Sequence, residues 1–268
     1  MKRITVIIPT YNRADKIIPS IQSVLDQSYS DFELIIVDDS STDDTEAVIT
    51  SIPDDRIVYF KLSENKGAAG ARNAGVEHAE SEYIAFHDSD DRWLPDKLEK
   101  QVSYMEMHPD IGMVYGKIRV NSPEKIYEFP NEAVNGELEG ELYHWLLRRN
   151  TIDAPTMFVR KKCFDAVGGF NPSLRCLEDW EFAIRFSMKF KIGYIDDVLL
   201  DSYVSDGGVS RHIGAYYETR CKMIAQHKDD IIKLGLFDEI VMDVFSRAEK
   251  SGVLPQVQSM LMNMLKQV

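Results

Sequence analysis

Apolar residues in the first hundred positions fall in short unbroken runs, separated by polar loops and by segments of helical period. Ile4-Thr5-Val6-Ile7-Ile8, Phe32-Glu33-Leu34-Ile35-Ile36-Val37 and Tyr83-Ile84-Ala85-Phe86 read as buried strands, and Ile57-Val58-Tyr59-Phe60 as a further strand. From Ile17 the positions Ile18, Ile21, Val24 and Leu25 recur at helical spacing. Thr42 or Asp43 caps a second helix, with Thr45-Glu46 in its first turn, and Gly67-Ala68-Ala69-Gly70-Ala71-Arg72-Asn73 opens a third. Strand and helix alternating through short loops predict a parallel sheet covered on both faces. Ligands bind such sheets beyond the carboxyl ends of the strands. Thr10, Asp39 and Asp88 follow three of those ends, so they are expected to converge on one crevice.

Further along, 94–108 reads as an amphipathic helix, 111–116 as a strand and 142–147 as a short helix. Residues 121–140, with Pro123, Pro130, Asn135 and Gly136, read as an irregular loop over the crevice. Residues 151–160 are predicted to form a strand, and 161–170 a helical turn ended by Gly168-Gly169. A helix over 177–186 carries Glu178 and Asp179 in its first turn. From Gly214 the pattern is helical throughout, in three apolar stripes: Tyr217, Cys221, Ile224 and Ile231; then Phe237, Val241, Val244 and Ala248; then Leu254, Val257, Leu261, Met264 and Val268. This gives an α/β domain over 1–213, divided at about 110, and a C-terminal helical extension over 214–268. Packing against the α/β domain is the expected role of the extension. Acceptor binding, homo-oligomer formation and peripheral membrane contact are its alternatives.

Composition narrows the class. A formal charge of -13 on 268 residues argues against general nucleic-acid binding and against broad adhesion to anionic lipid. Cys163, Cys176 and Cys221 show neither a disulfide framework nor metal spacing, which suits a reducing cytoplasm. Met1-Lys2-Arg3 leads into a short apolar run stopped by Pro9, unlike a signal peptide, and no run approaches the ~20 residues that span a bilayer. The expected location is cytoplasmic, with contact at the inner face of the membrane left open.

The chemistry concentrates in Asp88-Ser89-Asp90-Asp91. Carboxylates two positions apart at a strand end suit Mg2+ or Mn2+, whose oxygen shell is often completed by water and substrate phosphate. Acidic tetrads also cap helices, and Pro95 lies close by. Arg72 stands out in its Gly-Ala run as a fixed cation near an expected diphosphate, although such runs more often serve tight packing. Glu178 and Asp179 complement a helix dipole, which would lower the Asp179 pKa; Glu178 beside it and burial against Trp180 would push the other way.

The order of motifs is specific. Val6-Ile7-Ile8-Pro9-Thr10-Tyr11-Asn12-Arg13, Ser23-Val24-Leu25-Asp26-Gln27-Ser28-Tyr29, Leu34-Ile35-Ile36-Val37-Asp38-Asp39-Ser40-Ser41, Gly70-Ala71-Arg72-Asn73 and Asp88-Ser89-Asp90-Asp91 together resemble a family 2 inverting glycosyltransferase, over roughly residues 3–210. The resemblance implies a GT-A fold: a Rossmann-like, mostly parallel sheet flanked by helices. It also implies a nucleotide-sugar donor, a glycan or lipid-linked acceptor, and a divalent metal, Mg2+ or Mn2+. By that likeness Thr10 and Asp39 hold the nucleotide, with Asp39 reading a base expected to be uracil. Pro9, Tyr11 and Asn12 flank Thr10 in the same role. Arg72 lies near the nucleotide, Asp88 and Ser89 by the ribose or metal, and Asp90 ligates the metal. Glu178-Asp179 matches the family's Glu-Asp pair, whose Asp is the general base.

The chain departs from the family pattern near 203–212, where Val204 and Asp206 stand at positions that many members fill with Arg and His. Asp206 and His212 are the candidates to complete the metal site, and Gly207-Gly208 suggests a lid. Two other readings compete. A sugar nucleotidyltransferase would want a Gly-rich basic loop after the first strand, which Pro9-Thr10-Tyr11-Asn12-Arg13 is not. A non-catalytic nucleotide-sugar-binding protein could dispense with Asp179.

Overall fold

The structure, a computed structural model, describes residues 2–131, 137–203 and 213–267. Asp206 and His212 lie outside the described residues. The first half follows the predicted alternation: β1 (Ile4–Thr10), α1 (Ile17–Leu25), β2 (Phe32–Asp38), α2 (Thr45–Thr50), β3 (Ile57–Lys61), α3 (Gly67–His78) and β4 (Tyr83–Phe86). It continues through β5 (Arg92–Trp93), α4 (Lys97–Met107), β6 (Ile111–Asn121), β7 (Ile126–Phe129), α5 (Tyr143–Arg148), β8 (Phe158–Arg160), α6 (Lys161–Val167), α7 (Glu178–Ser187) and β9 (Lys191–Tyr203). Four helices close the chain: α8 (Ile213–Gln226), α9 (Lys228–Lys233), α10 (Phe237–Lys250) and α11 (Leu254–Gln267).

The strands form one sheet in the order β3-β2-β1-β4-β8-β6-β9-β5, with β7 paired to β6. β1 to β4 are mutually parallel, and β6 and β9 share their direction because β8 is antiparallel to both β4 and β6. Successive residues of a strand point to opposite faces, so a doubly covered strand feeds two cores. Ile4, Val6 and Ile8 join the core beneath α1 and α4, whereas Ile7 joins the larger core with Phe182 and Phe186. That larger core also takes Tyr217, Cys221, Ile224, Val244, Val257 and Leu261, so the stripes of α8 to α11 bury against the α/β portion.

Several expectations are corrected. The stretch 121–140 is not wholly irregular: β7 pairs with the end of β6, although its residues are mostly exposed and carry no core-facing alternation to read. Only Phe158–Arg160 of 151–160 is strand, because a 3-10 turn at Ala154–Thr156 carries Pro155. β9, a long strand beside β6, has no continuous apolar run to announce it. Its two apolar stretches are separated by Asp196-Asp197, where the register against β6 slips near Gly116 and Lys117. Lys117 and Lys100 pair with those two aspartates at the surface.

Candidate active site

The carboxyl edge of the parallel strands gathers the predicted residues from separate parts of the chain. Thr10 ends β1, Asp39 follows β2, and His87-Asp88-Ser89-Asp90-Asp91 follows β4. Reversal of β8 brings a further segment there. Ala85 pairs with Phe158, and Phe86 N–H donates to the Met157 carbonyl, so the preceding turn at 153–156 lies beside Asp88.

The nucleotide loops are tied to one another. Asn12, held at φ 51°, donates its amide to Ser41 Oγ and accepts from Thr42 N–H, which joins the loop after β1 to that after β2. Tyr11 beside it is exposed. Pro9 lies within β1, paired to Val37 of β2. Thr10 is buried, and its Oγ1 has no partner among the described residues. Asp39 accepts from Lys66 N–H and Gly67 N–H at 2.6 and 2.8 Å, so its two carboxylate oxygens pin the start of α3. Gly67 at φ 72° supplies the left-handed backbone of that turn. Burial pushes the Asp39 carboxyl above its usual range.

Arg72 is where the two halves of the site meet. It projects from α3, which lies so close to β1 that a Cβ at Gly75 would sit 2.6 Å from Ile7 Cγ2. The guanidinium is buried; it donates to Asp88 Oδ1 and to Glu178 Oε1, both at 2.7 Å. Burial acts to lower its pKa, but the two carboxylates outweigh that and hold it firmly protonated. Two of its nitrogens are thereby occupied, and Nε has no partner among the described residues.

Asp179 opens α7 behind Leu177, whose φ is 59°. One Asp179 oxygen accepts from Trp180 N–H at 2.7 Å, and the other faces Ala154 N–H at 3.4 Å. Burial, then Glu178, then Asp153 push its carboxyl well above the usual range. The helix N-terminus is therefore outweighed, in the direction a general base requires. Glu178 itself is spent on Arg72. Asp153 is a site residue that the sequence did not reveal. It carries no motif, and it reaches the edge only because β8 runs backwards. Its pKa is raised to about 6 by burial and by Asp88.

Asp90 is raised by burial and by Asp88, with Arg13 Nη2 3.8 Å away as its nearest cation. Asp91 is raised well above its ordinary value by burial, then by Asp88 and Asp90. Of the four carboxylates of Asp88, Asp90, Asp91 and Asp153, Arg72 pairs with Asp88 and Arg13 approaches Asp90, which leaves an excess of negative charge that a divalent cation relieves. Among the described residues no three His, Cys, Asp or Glu side chains converge as a ready cage. Asp90 and the free oxygen of Asp88 fit an ion that keeps several waters or phosphate oxygens.

The acidic loop is clamped from α1, a role for the Ser23-to-Tyr29 motif that its sequence alone did not disclose. Ser20 Oγ donates to the Asp88 carbonyl at 2.6 Å and lies 2.9 Å from His87 Nε2. Ser23 Oγ accepts from Trp93 N–H. Gln27 donates to the Leu94 carbonyl and accepts from Leu98 N–H. On the other side Lys97, fully buried, lies 3.9 Å from the Trp93 ring centroid and donates to Gln101, which donates to the Thr156 carbonyl. Ser89 is buried in the same loop.

Comparison with known proteins bears on the family and the fold. Residues 5–168 match the model of glycosyl transferase family 2. An uncharacterized glycosyltransferase of Rickettsia felis is 36% identical over 207 residues, covering 76% of this chain but only 33% of its own length. The Escherichia coli UDP-Glc:alpha-D-GlcNAc-diphosphoundecaprenol beta-1,3-glucosyltransferase WfaP is 47% identical over 106 residues, 40% of this chain and 42% of that protein. In structure, Staphylococcus aureus TarS in complex with UDP-GlcNAc superposes with a TM-score of 0.76 at 21% identity, over 98% of this chain and 79% of that one, and so shares its GT-A fold. The chain belongs to glycosyl transferase family 2.

Proposed function

We propose that this chain transfers a sugar from a UDP-sugar, with UDP-glucose the first candidate, to a hydroxyl of a GlcNAc-diphosphate-lipid acceptor, inverting the anomeric centre. The donor and acceptor are suggested by the relative that shares 47% identity over 106 residues. The observation that carries the reading is the double ion pair of Arg72, which ties the loop of Asp88 to the helix of Asp179.

In this reading Pro9, Thr10, Tyr11, Asn12 and Asp39 line the nucleotide subsite, with Ser89 at its rim. The buried Thr10 Oγ1, which has no partner among the described residues, supports a ligand contact there. Asp39 reads the base with the lone pairs left after it has accepted from α3. Asp90, with Asp88, holds Mg2+ or Mn2+, which when bound offsets charge developing on the departing diphosphate. Asp179, its proton affinity raised by burial, Glu178 and Asp153, takes the proton of the attacking hydroxyl. Arg72 and Glu178 orient these groups. Residues 1–110 form the donor half, 111–213 the acceptor and base half, and 214–268 a helical extension. Among the described residues no helix is long and apolar enough to cross a membrane.

The test is calorimetric titration of UDP-glucose and UDP-GlcNAc with and without Mn2+, on the wild type and on Asp90→Ala. Mn2+-dependent binding that is lost in Asp90→Ala supports the reading. Absence of nucleotide-sugar binding in the presence of Mn2+ removes its foundation. A non-catalytic binding protein would bind donor equally well but release no UDP on addition of acceptor.

A further inference from the structure

We infer that Arg220, on the C-terminal helix α8, is a positioning residue for the proposed base Asp179, which makes the helical extension part of the active site's framework. The inference rests on the transferase reading above and gives the extension a role that no motif in it discloses.

Arg220 is only 3% exposed, and among the described residues no carboxylate lies close enough to form an ion pair with it, Asp243 acting only at longer range. An unpaired buried guanidinium is costly and is retained only where other groups satisfy it. Here the acceptors are backbone. Nη2 donates to the carbonyl of Leu147 at 2.7 Å and to that of Arg148 at 3.2 Å. These two carbonyls end α5, where the helix leaves its last acceptors unpaired and a cation complements the dipole. The guanidinium carbon also lies 4.2 Å from the centroid of the Trp180 ring. Trp180 is itself fixed by its indole N–H, which donates to the Leu146 carbonyl at 2.6 Å.

Both arms of this contact lead to Asp179. Trp180 is its chain neighbour, and the Trp180 amide binds Asp179 Oδ1 at 2.7 Å. The end of α5 runs through 149–153 into Ala154, whose amide faces Asp179 Oδ2 at 3.4 Å. A single side chain from the extension therefore holds both backbone donors that orient the carboxylate. Burial lowers the Arg220 pKa to about 10, so its charge persists at neutral pH. A methionine in its place could fill the space but could neither bridge the carbonyls nor stack as a cation.

The experiment compares wild type with Arg220→Met, Arg220→Lys and a control, Val257→Ala, which loosens the extension at another buried position. Transfer is followed as UDP release from UDP-glucose with a synthetic GlcNAc-diphospho-alkyl acceptor and Mn2+, alongside thermal unfolding and amide hydrogen exchange. A misplacement of the order of an ångström costs about 100-fold in rate. Arg220→Met is expected to lose roughly 10- to 100-fold in kcat with donor KM within about twofold. Arg220→Lys should recover part of the loss. Exchange at Ala154 and Trp180 should quicken in Arg220→Met but not in Val257→Ala. Equal kcat per folded molecule in Arg220→Met and Val257→Ala, with unchanged exchange at those two amides, would overturn the inference. If the wild type transfers no sugar, the transferase reading fails, and the exchange comparison still decides whether Arg220 holds the turn and helix around Asp179.

Discussion

Replacing Arg72 by methionine tests the joint on which the site is built. The side chain is 5% exposed and its partners are partly covered, Asp88 at 33% and Glu178 at 15%. Removing one member of a buried pair costs about 3–5 kcal/mol, because the partner charges stay behind uncompensated. Solvent reaching Asp88 screens part of that, so the lower end, about 3 kcal/mol, is the better expectation. For a chain of this size such a loss lowers the midpoint of thermal unfolding by roughly 6 °C or more. A second consequence is electrostatic. Burial and then Glu178 raise the Asp179 pKa most, while Arg72 lowers it, so loss of the cation should raise it further. Transfer that needs the deprotonated base should then require higher pH. The assay is thermal and urea unfolding beside a pH–rate profile for UDP release, on wild type, Arg72→Met and Arg72→Lys. Lysine keeps the charge but reaches one carboxylate, so it should fall between the others. Stability within about 0.5 kcal/mol of wild type, together with an unmoved profile, would refute the argument.

Other expectations follow from the same contacts. In EDTA, Asp153→Asn should stabilise the fold as pH rises from about 4 to about 7: the native pKa of Asp153 is raised to about 6, so its ionisation costs the wild type stability in that window. The same substitution removes a charge that raises Asp179, so the transfer profile should move to lower pH; a profile that stays put would dismiss that coupling. Gln27→Ala leaves the Leu94 carbonyl and the Leu98 amide without their side-chain partner, and should cost roughly 2 kcal/mol by urea unfolding. It should also weaken Mn2+-dependent donor binding, and Gln27→Ala with wild-type affinity would show that the acidic loop needs no clamp.

How much of this could be read from the chain varies with the kind of signal. β1 to β4 were legible because each is a short apolar run closed by a turn; β1, β2 and β4 are buried on both faces, whereas β3 at the sheet edge is half-exposed. β9 was not, because Asp196-Asp197 splits its apolar pattern at the bulge, and β7 lacks a buried face altogether. Thr10, Asp39, Asp88 and Asp90 could be placed on one edge because strand direction alone puts them there. The ion pairs of Arg72 span 16 and 106 positions, and no local pattern encodes the second. Asp153 was missed for a topological reason: its segment read as continuous strand, whereas the turn at Ala154–Thr156 and the reversed β8 set it beside Asp88 and Asp179. The burial of α8 to α11 was foreseeable from their stripes. Arg220, polar on a helix of mixed composition, gave no sign of lying against Trp180.

The most direct measurement of the central claim is the product itself. The protein is incubated with UDP-glucose, Mn2+ and a GlcNAc-diphospho-alkyl acceptor, and the anomeric configuration of any disaccharide is read by NMR. The account predicts a product inverted relative to the donor, and a rate reduced by at least about 100-fold in Asp179→Asn while the donor still binds. A retained configuration, or full activity in Asp179→Asn, would contradict it.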